Sequence, residues 1–212
     1  MTLRVLSLDF AGVIAPKDFI DYFWFVALPR RIAKLEKIPL YEAMKFVEYA
    51  YETVSRNTLE WYLPQYWALR FGIEDLLEDA IRESLSVAEV YGDVLELIPM
   101  LATRYMLVIA TNTPKNMVLE FLNKYLAIGR YIKRVYSCID DLKVPKKNKK
   151  FYAYMLRDLK IKPMELIHVG DDPLYDGIVP QELGIKTVVI NRHCKCGKYL
   201  KDLYQVIEEL GG

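Results

Sequence analysis

Short, nearly unbroken apolar runs are the feature that most constrains the fold of this chain. The runs VLSL at 5–8, MLVIA at 106–110 and TVVI at 187–190 are continuous rather than alternating. This pattern is typical of strands that are buried on both faces of a parallel sheet. Five such runs are predicted to be strands: Leu3–Leu8, Met106–Ala110, Arg134–Ile139, Glu165–Val169 and Lys186–Ile190.

The segments between these strands have helical spacing, with apolar residues at Val118, Phe121, Leu122 and Tyr125 in one of them. Strands that alternate with helices favour an open sheet covered by helices on both faces. The sequence therefore predicts an α/β fold, a Rossmann-like doubly wound parallel sheet of about five strands.

Residues 16–85 interrupt this alternation. They contain no convincing strand but several amphipathic segments, such as Ile38–Val54 and Leu59–Phe71, and fourteen of the aromatic residues, including every Trp, lie between positions 19 and 71. We interpret this stretch as an all-helical cap domain inserted into a core of 1–15 and 86–212. Its aromatic residues are expected to form the core of the cap, or some of them to line a pocket facing the sheet. Three prolines are expected to separate the cap helices: Pro29, Pro39 and Pro64.

The composition excludes several classes of protein. The chain has 212 residues, of which 53% are hydrophobic, and 29 basic residues balance 28 acidic ones. It is too apolar to be disordered and too evenly charged to bind nucleic acid through bulk charge. No apolar run is long enough for a membrane span, and three cysteines fit a reducing cytoplasm. Three glutamines beside many Glu and Lys residues suggest a thermophilic source.

Polar residues follow the predicted strands at the edge where a doubly wound sheet binds its ligand. Asp9 follows the first strand, Thr111 follows the second, and Asp171, Asp172 and Asp176 follow the fourth. Carboxylates brought together in this way repel one another unless a cation lies among them, and oxygen ligands suit Mg²⁺. The sequence therefore predicts a magnesium site that could also bind a phosphoryl group.

Three motifs resemble those of the haloacid dehalogenase superfamily of hydrolases. The first is DFAGV at 9–13, similar to the Asp-x-Asp-Gly-Thr/Val motif that ends the first strand in that family. The second is VIATN at 108–112, and the fourth is GDDPLYD at 170–176. The helical insert after the first motif resembles the type-1 cap of the family, which closes over the active site.

The third motif of the family is a lysine in a Lys-Pro-x-x-x-x-aromatic pattern. Counting back 25 residues from Asp171 identifies Lys146, with Tyr152 as the aromatic residue. The proline of the pattern is missing here. Lys143 and Lys147 are therefore alternatives to Lys146.

The resemblance implies covalent catalysis by Asp9, whose carboxylate would attack the phosphorus of the substrate. It also implies that Mg²⁺ is bound by Asp9, by the carbonyl of Ala11 and by Asp171. In the same family pattern, Asp172 or Asp176 would support the water shell of the metal.

Other matching positions imply residues that bind the substrate. Thr111 and Lys146 would hold the oxygens of the transferring phosphoryl group, and Asn112 and Gly12 would lie at the same binding site. The implied partner is a small phosphorylated or related anionic molecule, rather than a nucleic acid or a membrane. The chain is expected to be a monomer or a homodimer.

Ala11 is the main departure from the family pattern. Phosphatases of this family have a second Asp there, which protonates the leaving group and later activates water. General acid–base catalysis contributes roughly 10²–10⁴-fold to a rate. A Mg²⁺-dependent phosphatase without that group would act on esters with good leaving groups, such as aryl or acyl phosphates.

Other functions remain open at this point. The Asp-x-Ala-Gly pattern resembles that of phosphonatases, which cleave a carbon–phosphorus bond through a Schiff base on a cap lysine, and Lys45 in apolar surroundings is the candidate. A 2-haloacid dehalogenase also lacks the second Asp, although the three acidic residues of the fourth motif argue against it. Finally, Ala11 would fit a degenerate member of the family that binds a phosphorylated ligand or a partner without turnover.

Overall fold

A five-stranded parallel sheet forms the centre of the molecule. The computed structural model describes residues 4–194 and 197–211, so Leu3, the first residue of a predicted strand, lies outside the described part. The strands are β1 (Val5–Leu8), β2 (Met106–Thr111), β3 (Ile132–Ser137), β4 (Leu166–Gly170) and β5 (Lys186–Val189). The sheet order is β3-β2-β1-β4-β5 with every pair parallel, which confirms the predicted α/β sheet.

The position of β1 in the sheet explains the sequence of the strand. Both of its neighbours pair with it in register, and Leu8 lies opposite Ile109 of β2 and Val169 of β4. All four residues of β1 are buried, whereas the edge strands β3 and β5 contain exposed positions. A strand that is buried on both faces has no solvent-exposed position for a charged side chain. The sequence of β1 therefore contains no charged residue.

The two faces of the sheet bury separate hydrophobic clusters. Leu6 and Ile109 belong to the larger cluster on one face, and Val5 and Val108 belong to the smaller cluster on the other face. Helices cover both faces, as a doubly wound sheet requires. The helices after residue 90 are α6 (Gly92–Arg104), α7 (Lys115–Lys124), α8 (Leu126–Gly129), α9 (Cys138–Leu142), α10 (Lys149–Leu159), α11 (Val179–Gln181) and α12 (Leu203–Glu209).

The stretch between β1 and α6 consists of helices joined by turns and loops, with no strand among its residues. Its α-helices are α1 (Asp18–Tyr22), α2 (Leu28–Glu36), α3 (Leu40–Glu52), α4 (Pro64–Phe71) and α5 (Leu77–Ser86), which follow β1 in the chain. A π-helical segment joins α1 to α2, and two 3₁₀ turns flank α4. This segment is called the cap below. Its predicted boundaries at 16 and 85 remain a prediction, because Leu8 of the sheet and Trp67 of the cap share one continuous hydrophobic cluster.

The prediction that Pro29 separates two cap helices is wrong. Pro39 and Pro64 do stand at the starts of α3 and α4, but Pro29 is the second residue of α2, which continues directly from the π-helical segment Phe23–Ala27. The amide of Leu28 bonds to the carbonyl of Phe23, five residues back. A wider π turn relieves the clash between a proline ring and the preceding turn, so the helix runs through Pro29.

Aromatic residues form the interior of the cap. Trp67 is fully buried, with its ring 4.6 Å from that of Tyr51 and 5.6 Å from that of Phe71. The indole nitrogen of Trp67 donates to the carbonyl of Trp61. Tyr51, Trp61 and Phe25 also line a surface cavity of about 310 Å³, but all of its lining residues belong to the cap, so it is not the predicted pocket facing the sheet.

The helices in the described part of the chain all lack the length and apolar character that crossing a bilayer requires.

The buried indole of Trp67 should be a major source of stability. We expect Trp67→Ala to lower the free energy of unfolding by about 3–5 kcal/mol, because the change leaves a cavity and an unpaired carbonyl. Leu69→Ala on the same helix is the matched control, since Leu69 is 68% exposed and should change stability by less than about 0.5 kcal/mol. Urea unfolding followed by circular dichroism measures both, and equal effects would contradict the buried aromatic core.

Candidate active site

The carboxyl end of β1 places Asp9 at the middle of the sheet edge. The Asp9 amide donates to the carbonyl of Val169 at 2.8 Å, which continues the pairing of β1 with β4 by one residue. The residue is 7% exposed, and its Oδ1 accepts the amide of Phe10 at 2.8 Å. Its Oδ2 lies 3.1 Å from the ammonium nitrogen of Lys147. The carboxylate is therefore held by a backbone donor on one oxygen and by a cation on the other.

Lys147, rather than Lys146, is the lysine that contacts Asp9. Its side chain is 1% exposed and its ammonium forms ion pairs with both Asp9 and Asp176. The side-chain oxygen of Asn112 accepts the amide of Lys147 at 3.1 Å, which fixes the backbone at this position.

The expected lysine of the third motif, Lys146, points elsewhere. Its ammonium lies 4.9 Å from the ring centre of Tyr62 in the cap and 5.6 Å from that of Tyr175. Lys143, the other alternative, ends α9 in a left-handed backbone conformation. Counting residues misses Lys147 by one position, because the irregular loop between α9 and α10 has no periodicity that fixes where a side chain points.

Asp176 anchors Lys147 from the other side. Asp176 is fully buried. Its Oδ1 lies 2.9 Å from Nε2 of His168 and accepts a hydrogen bond from the hydroxyl of Tyr152 at 3.3 Å. Its Oδ2 accepts a hydrogen bond from the amide of Asp172. The chain's own donors thus contact both oxygens. Asp176 is predicted to support the water shell of the metal. In the structure its oxygens are instead bound by Lys147, His168 and the amide of Asp172, so its contacts orient Lys147.

His168 extends this network to β1. Its Nδ1 lies 3.0 Å from the hydroxyl of Ser7, so the ring bridges two adjacent strands beneath the site. Burial lowers the pKa of His168, and its hydrogen bond to Asp176 opposes that shift. The ring is therefore a buried structural member of the network.

The pKa values of Asp9 and Asp176 are shifted in opposite directions. Burial raises the pKa of Asp9 to about 7, and the nearby charges of Asp176 and Asp171 add to the shift, while Lys147 opposes it. Burial also acts to raise the pKa of Asp176, but Lys147 and His168 outweigh it and hold that pKa below its usual value. Burial would lower the pKa of Lys147, yet the charges of Asp176 and Asp9 keep it above its ordinary value.

Asp171 completes an acidic cluster. Oxygens of Asp9, Asp171 and Asp176 all lie within 4.8 Å of one another. Gly12 packs directly against Asp171: its φ is +94°, and a Cβ atom there would overlap with the carboxylate. Oxygen donors at this spacing suit a hard divalent cation, so the residues present fit Mg²⁺.

The remaining predicted residues lie in different surroundings. Thr111 ends β2 beside β1, is buried, and accepts the amide of Thr113 at 3.0 Å on its hydroxyl oxygen. Asp172 points away from the acidic cluster, because its Oδ1 accepts the amides of Leu174 and Tyr175 and begins the next helical turn. Ala11 is half-buried, and its backbone forms an isolated β-bridge with that of Ala15.

Lys45 does not join this cluster. It is exposed on α3, with its ammonium 5.8 Å from the ring centre of Tyr41. The buried face of the helix carries Ala43 and Val47, so the expected apolar surroundings of Lys45 are wrong. Neighbours in sequence do not surround a helical side chain, because they project from different faces.

Two basic residues that the motifs did not identify also contact the site. Lys17, directly before α1, lies 2.7 Å from Oδ2 of Asp171. Burial would lower the pKa of Lys17, but Asp171 and the neighbouring carboxylates raise it. No motif or spacing near Lys17 in the sequence predicts that it contacts Asp171.

Arg192, the second of these residues, donates to the carbonyls of Gly12 and Val13 and pairs with Asp93. Its guanidinium lies 3.8 Å from the ring centre of Tyr91. Because Arg192 follows β5, reading the end of every strand would have found it.

A cleft of about 490 Å³ opens beside Asp171. Residues from the loop after β1, the start of the cap and the loop after β5 line it, and it contains both Lys17 and Arg192: Gly12, Pro16, Lys17, Asp18, Tyr91, Asp171, Asn191, Arg192 and His193. A small molecule in this cleft can therefore reach Asp171, the member of the acidic cluster that lines it.

Solved structures share this fold over nearly the whole chain. A HAD phosphatase from Thermococcus onnurineus has 22% sequence identity and a TM-score of 0.81, covering 99% of this chain and 98% of its own. A 2-haloacid dehalogenase from Pseudomonas syringae has 15% identity and a TM-score of 0.72, covering 99% and 98%. The putative HAD-hydrolase YfnB from Bacillus subtilis has 19% identity and a TM-score of 0.70, covering 99% of both chains.

Sequence comparison identifies the family. No curated protein matches the chain significantly. A family model for haloacid dehalogenase-like hydrolases, however, matches residues 27–190, well over half of the 212 residues. This match begins after Asp9 and extends past Asp176, and the structural similarity covers the remainder. The chain belongs to the family of haloacid dehalogenase-like hydrolases.

Proposed function

We propose that this hydrolase uses Asp9 as a nucleophile, together with Mg²⁺, to cleave a phosphoryl group from a small molecule with a good leaving group. The buried ion pair between Asp9 and Lys147, beside Asp171, carries this proposal. It supplies a carboxylate aimed by a fixed cation and a second carboxylate ready to share a metal. The magnesium-bound structure of the Bacillus subtilis relative supports the choice of metal.

The nucleophile is oriented before substrate binds. The Phe10 amide and the Lys147 ammonium hold the two oxygens of Asp9, which prevents rotation of the carboxylate. Attack by an oxygen of Asp9 on phosphorus forms an aspartyl phosphate and breaks the bond to the leaving oxygen, which departs with the electron pair. Water then attacks the phosphorus and the bond between phosphorus and the Asp9 oxygen breaks, with its electron pair returning to the carboxylate. The proton that water loses passes to the inorganic phosphate or to the solvent.

Two side chains of the protein would stabilise charge during this reaction. The ammonium of Lys147 lies where negative charge develops on the phosphoryl oxygens, and the Thr111 hydroxyl at the end of β2 can donate to the same group. Asp9, the carbonyl of Ala11 and Asp171 would hold Mg²⁺, with Asp176 behind them. When bound, Mg²⁺ neutralises charge on the phosphoryl oxygens and on the carboxylates.

The leaving group receives no proton from position 11, because Ala11 has no ionisable side chain. A leaving oxygen of low basicity can depart as an anion, whereas an alkoxide cannot depart easily without a proton. Aryl and acyl phosphates are therefore the substrate class that this site fits best.

The exposed position of Lys45 counts against the phosphonatase alternative, since a Schiff-base lysine has to reach the substrate. The acidic cluster counts against a dehalogenase, which needs no metal. Assays with phosphonoacetaldehyde and 2-chloropropionate test both alternatives alongside the phosphate esters.

The first prediction from this proposal concerns the substrate and the nucleophile. We expect Mg²⁺-dependent phosphate release from p-nitrophenyl phosphate, at least about 100-fold faster than from a simple alkyl phosphate. Asp9→Asn should lower kcat by at least about 1,000-fold, because an amide cannot form the phosphoryl intermediate. A colorimetric phosphate assay with and without EDTA measures each rate. Absence of turnover with every aryl and acyl phosphate would favour a ligand-binding role instead.

The second prediction separates two adjacent lysines. Lys147→Met should lower kcat by at least about 100-fold, because it removes the cation that aims Asp9 and stabilises developing charge. Lys146→Met is the matched control, since its ammonium contacts two tyrosine rings, and it should retain activity within a few-fold. Circular dichroism checks that both variants fold. A larger loss in Lys146→Met would restore the assignment made from sequence.

The third prediction follows from the raised pKa of Asp9, about 7. A carboxyl whose pKa is raised on folding destabilises the folded state when it ionises. The free energy of unfolding therefore decreases as the pH rises from about 4 through 7. In EDTA at pH 8, Asp9→Asn should therefore unfold with a free energy on the order of 2–4 kcal/mol above that of the unmodified protein. Urea unfolding at pH 8 and pH 5 measures the difference, which should shrink at pH 5. A difference independent of pH contradicts the raised pKa.

A further inference from the structure

Lys17 lies at the junction between the sheet and the cap. It follows the loop after β1 and directly precedes α1, the first helix of the cap. Its stem is largely exposed, with 58% of the side chain accessible, but its ammonium lies 2.7 Å from Oδ2 of Asp171. The residue thus extends from the surface to a carboxylate of the acidic cluster.

The three carboxylates of the cluster have different partners. Asp9 and Asp176 share the ammonium of Lys147, and Asp176 has His168 and Tyr152 in addition. Asp171 is paired instead with Lys17, whose ammonium is its cationic partner among the described residues. The charge of Asp171 is therefore balanced by a flexible, largely exposed side chain rather than by the fixed cation of the buried network.

The space around Oδ2 of Asp171 is limited. Gly12 packs so closely against this oxygen that a Cβ atom would overlap with it. The same oxygen accepts the ammonium of Lys17. A divalent cation bound between Asp9 and Asp171 would lie close to this ammonium, and two cations at one carboxylate repel each other strongly.

We propose that Lys17 competes with the divalent cation for Asp171 and thereby sets the Mg²⁺ concentration at which the site fills. This inference rests on the proposed function, because it assumes a cation at Asp9 and Asp171. When the cation binds, it replaces the ammonium of Lys17 as the partner of Asp171. The ammonium is then released into the cleft of about 490 Å³ that Lys17 already lines. The exchange also removes a link between the start of the cap and the fourth motif.

Direct titration with Mg²⁺ tests the competition without any measurement of activity. We expect Lys17→Met, which keeps the length of the side chain but removes its charge, to bind Mg²⁺ about 3- to 10-fold more tightly in isothermal titration calorimetry. Lys17→Arg keeps the charge and should bind with an affinity close to that of the unmodified protein. Lys34→Met, at an exposed position of α2, is the control for removal of a surface charge and should have no effect beyond about twofold.

The outcomes separate this inference from the proposed function. Equal Mg²⁺ affinity in Lys17→Met and the unmodified protein overturns the competition and leaves the magnesium site intact. Absence of Mg²⁺ binding in both proteins overturns the site and the competition together. Tighter binding in Lys17→Met alone, with Lys17→Arg and Lys34→Met unchanged, supports the inference.

Thermal unfolding provides a second readout by linkage. In EDTA, Lys17→Met should unfold at a lower temperature than the unmodified protein, because Asp171 loses its counter-charge near Asp9 and Asp176. In saturating Mg²⁺ the two proteins should unfold at similar temperatures, so the upward shift caused by Mg²⁺ is larger for the variant. A shift of equal size in both proteins contradicts the exchange.

Discussion

The ion pairs of Lys147 are the interaction on which the rest of the site depends. An ammonium that is 1% exposed can stay charged only when carboxylates surround it, and Asp9 and Asp176 do so. Each of these partners is fixed in turn, since His168 and the backbone of Asp172 bind Asp176 and a backbone amide binds Asp9. Removal of Lys147 would leave Asp9 and Asp176 buried without the cation that they share. The proposed nucleophile, Asp9, is therefore oriented by the same contacts that stabilise the end of the sheet.

The charges at this edge of the sheet are not balanced by Lys147 alone. Three carboxylates meet there, and burial together with the charges of Asp176 and Asp171 raises the pKa of Asp9 to about 7. A carboxyl with that pKa is half protonated at neutral pH, and a protonated carboxyl is a poor nucleophile. A second cation near Asp9 would lower its pKa and increase the ionised fraction. The proposed Mg²⁺ and the proposed exchange with Lys17 both follow from this excess of negative charge.

The sequence was sufficient for the features that depend on periodicity and on strand ends. Buried strands need continuous apolar runs, so all five strands were predicted within a few residues, and the motif carboxylates Asp9 and Asp171 were found because they follow such strands. The choice between Lys146 and Lys147 cannot be made in this way, because the irregular loop that carries them has no periodicity from which the direction of either side chain follows. Lys17 approaches Asp171 only through the folded path of the chain. No local pattern records such a contact.

The loop that carries Ala11 is held on several sides, which bears on the missing acid. Arg192 donates to the carbonyls of Gly12 and Val13, its guanidinium is paired with Asp93, and the Gly12 amide bonds to the carbonyl of Ala15 at 2.7 Å. A loop fixed in this way cannot move easily to bring another side chain of its own to the position opposite Asp9. In the proposed reaction the leaving group therefore receives no proton from the loop at Ala11. The rigidity of this loop, as much as the alanine itself, restricts the proposed reaction to leaving groups that depart as stable anions.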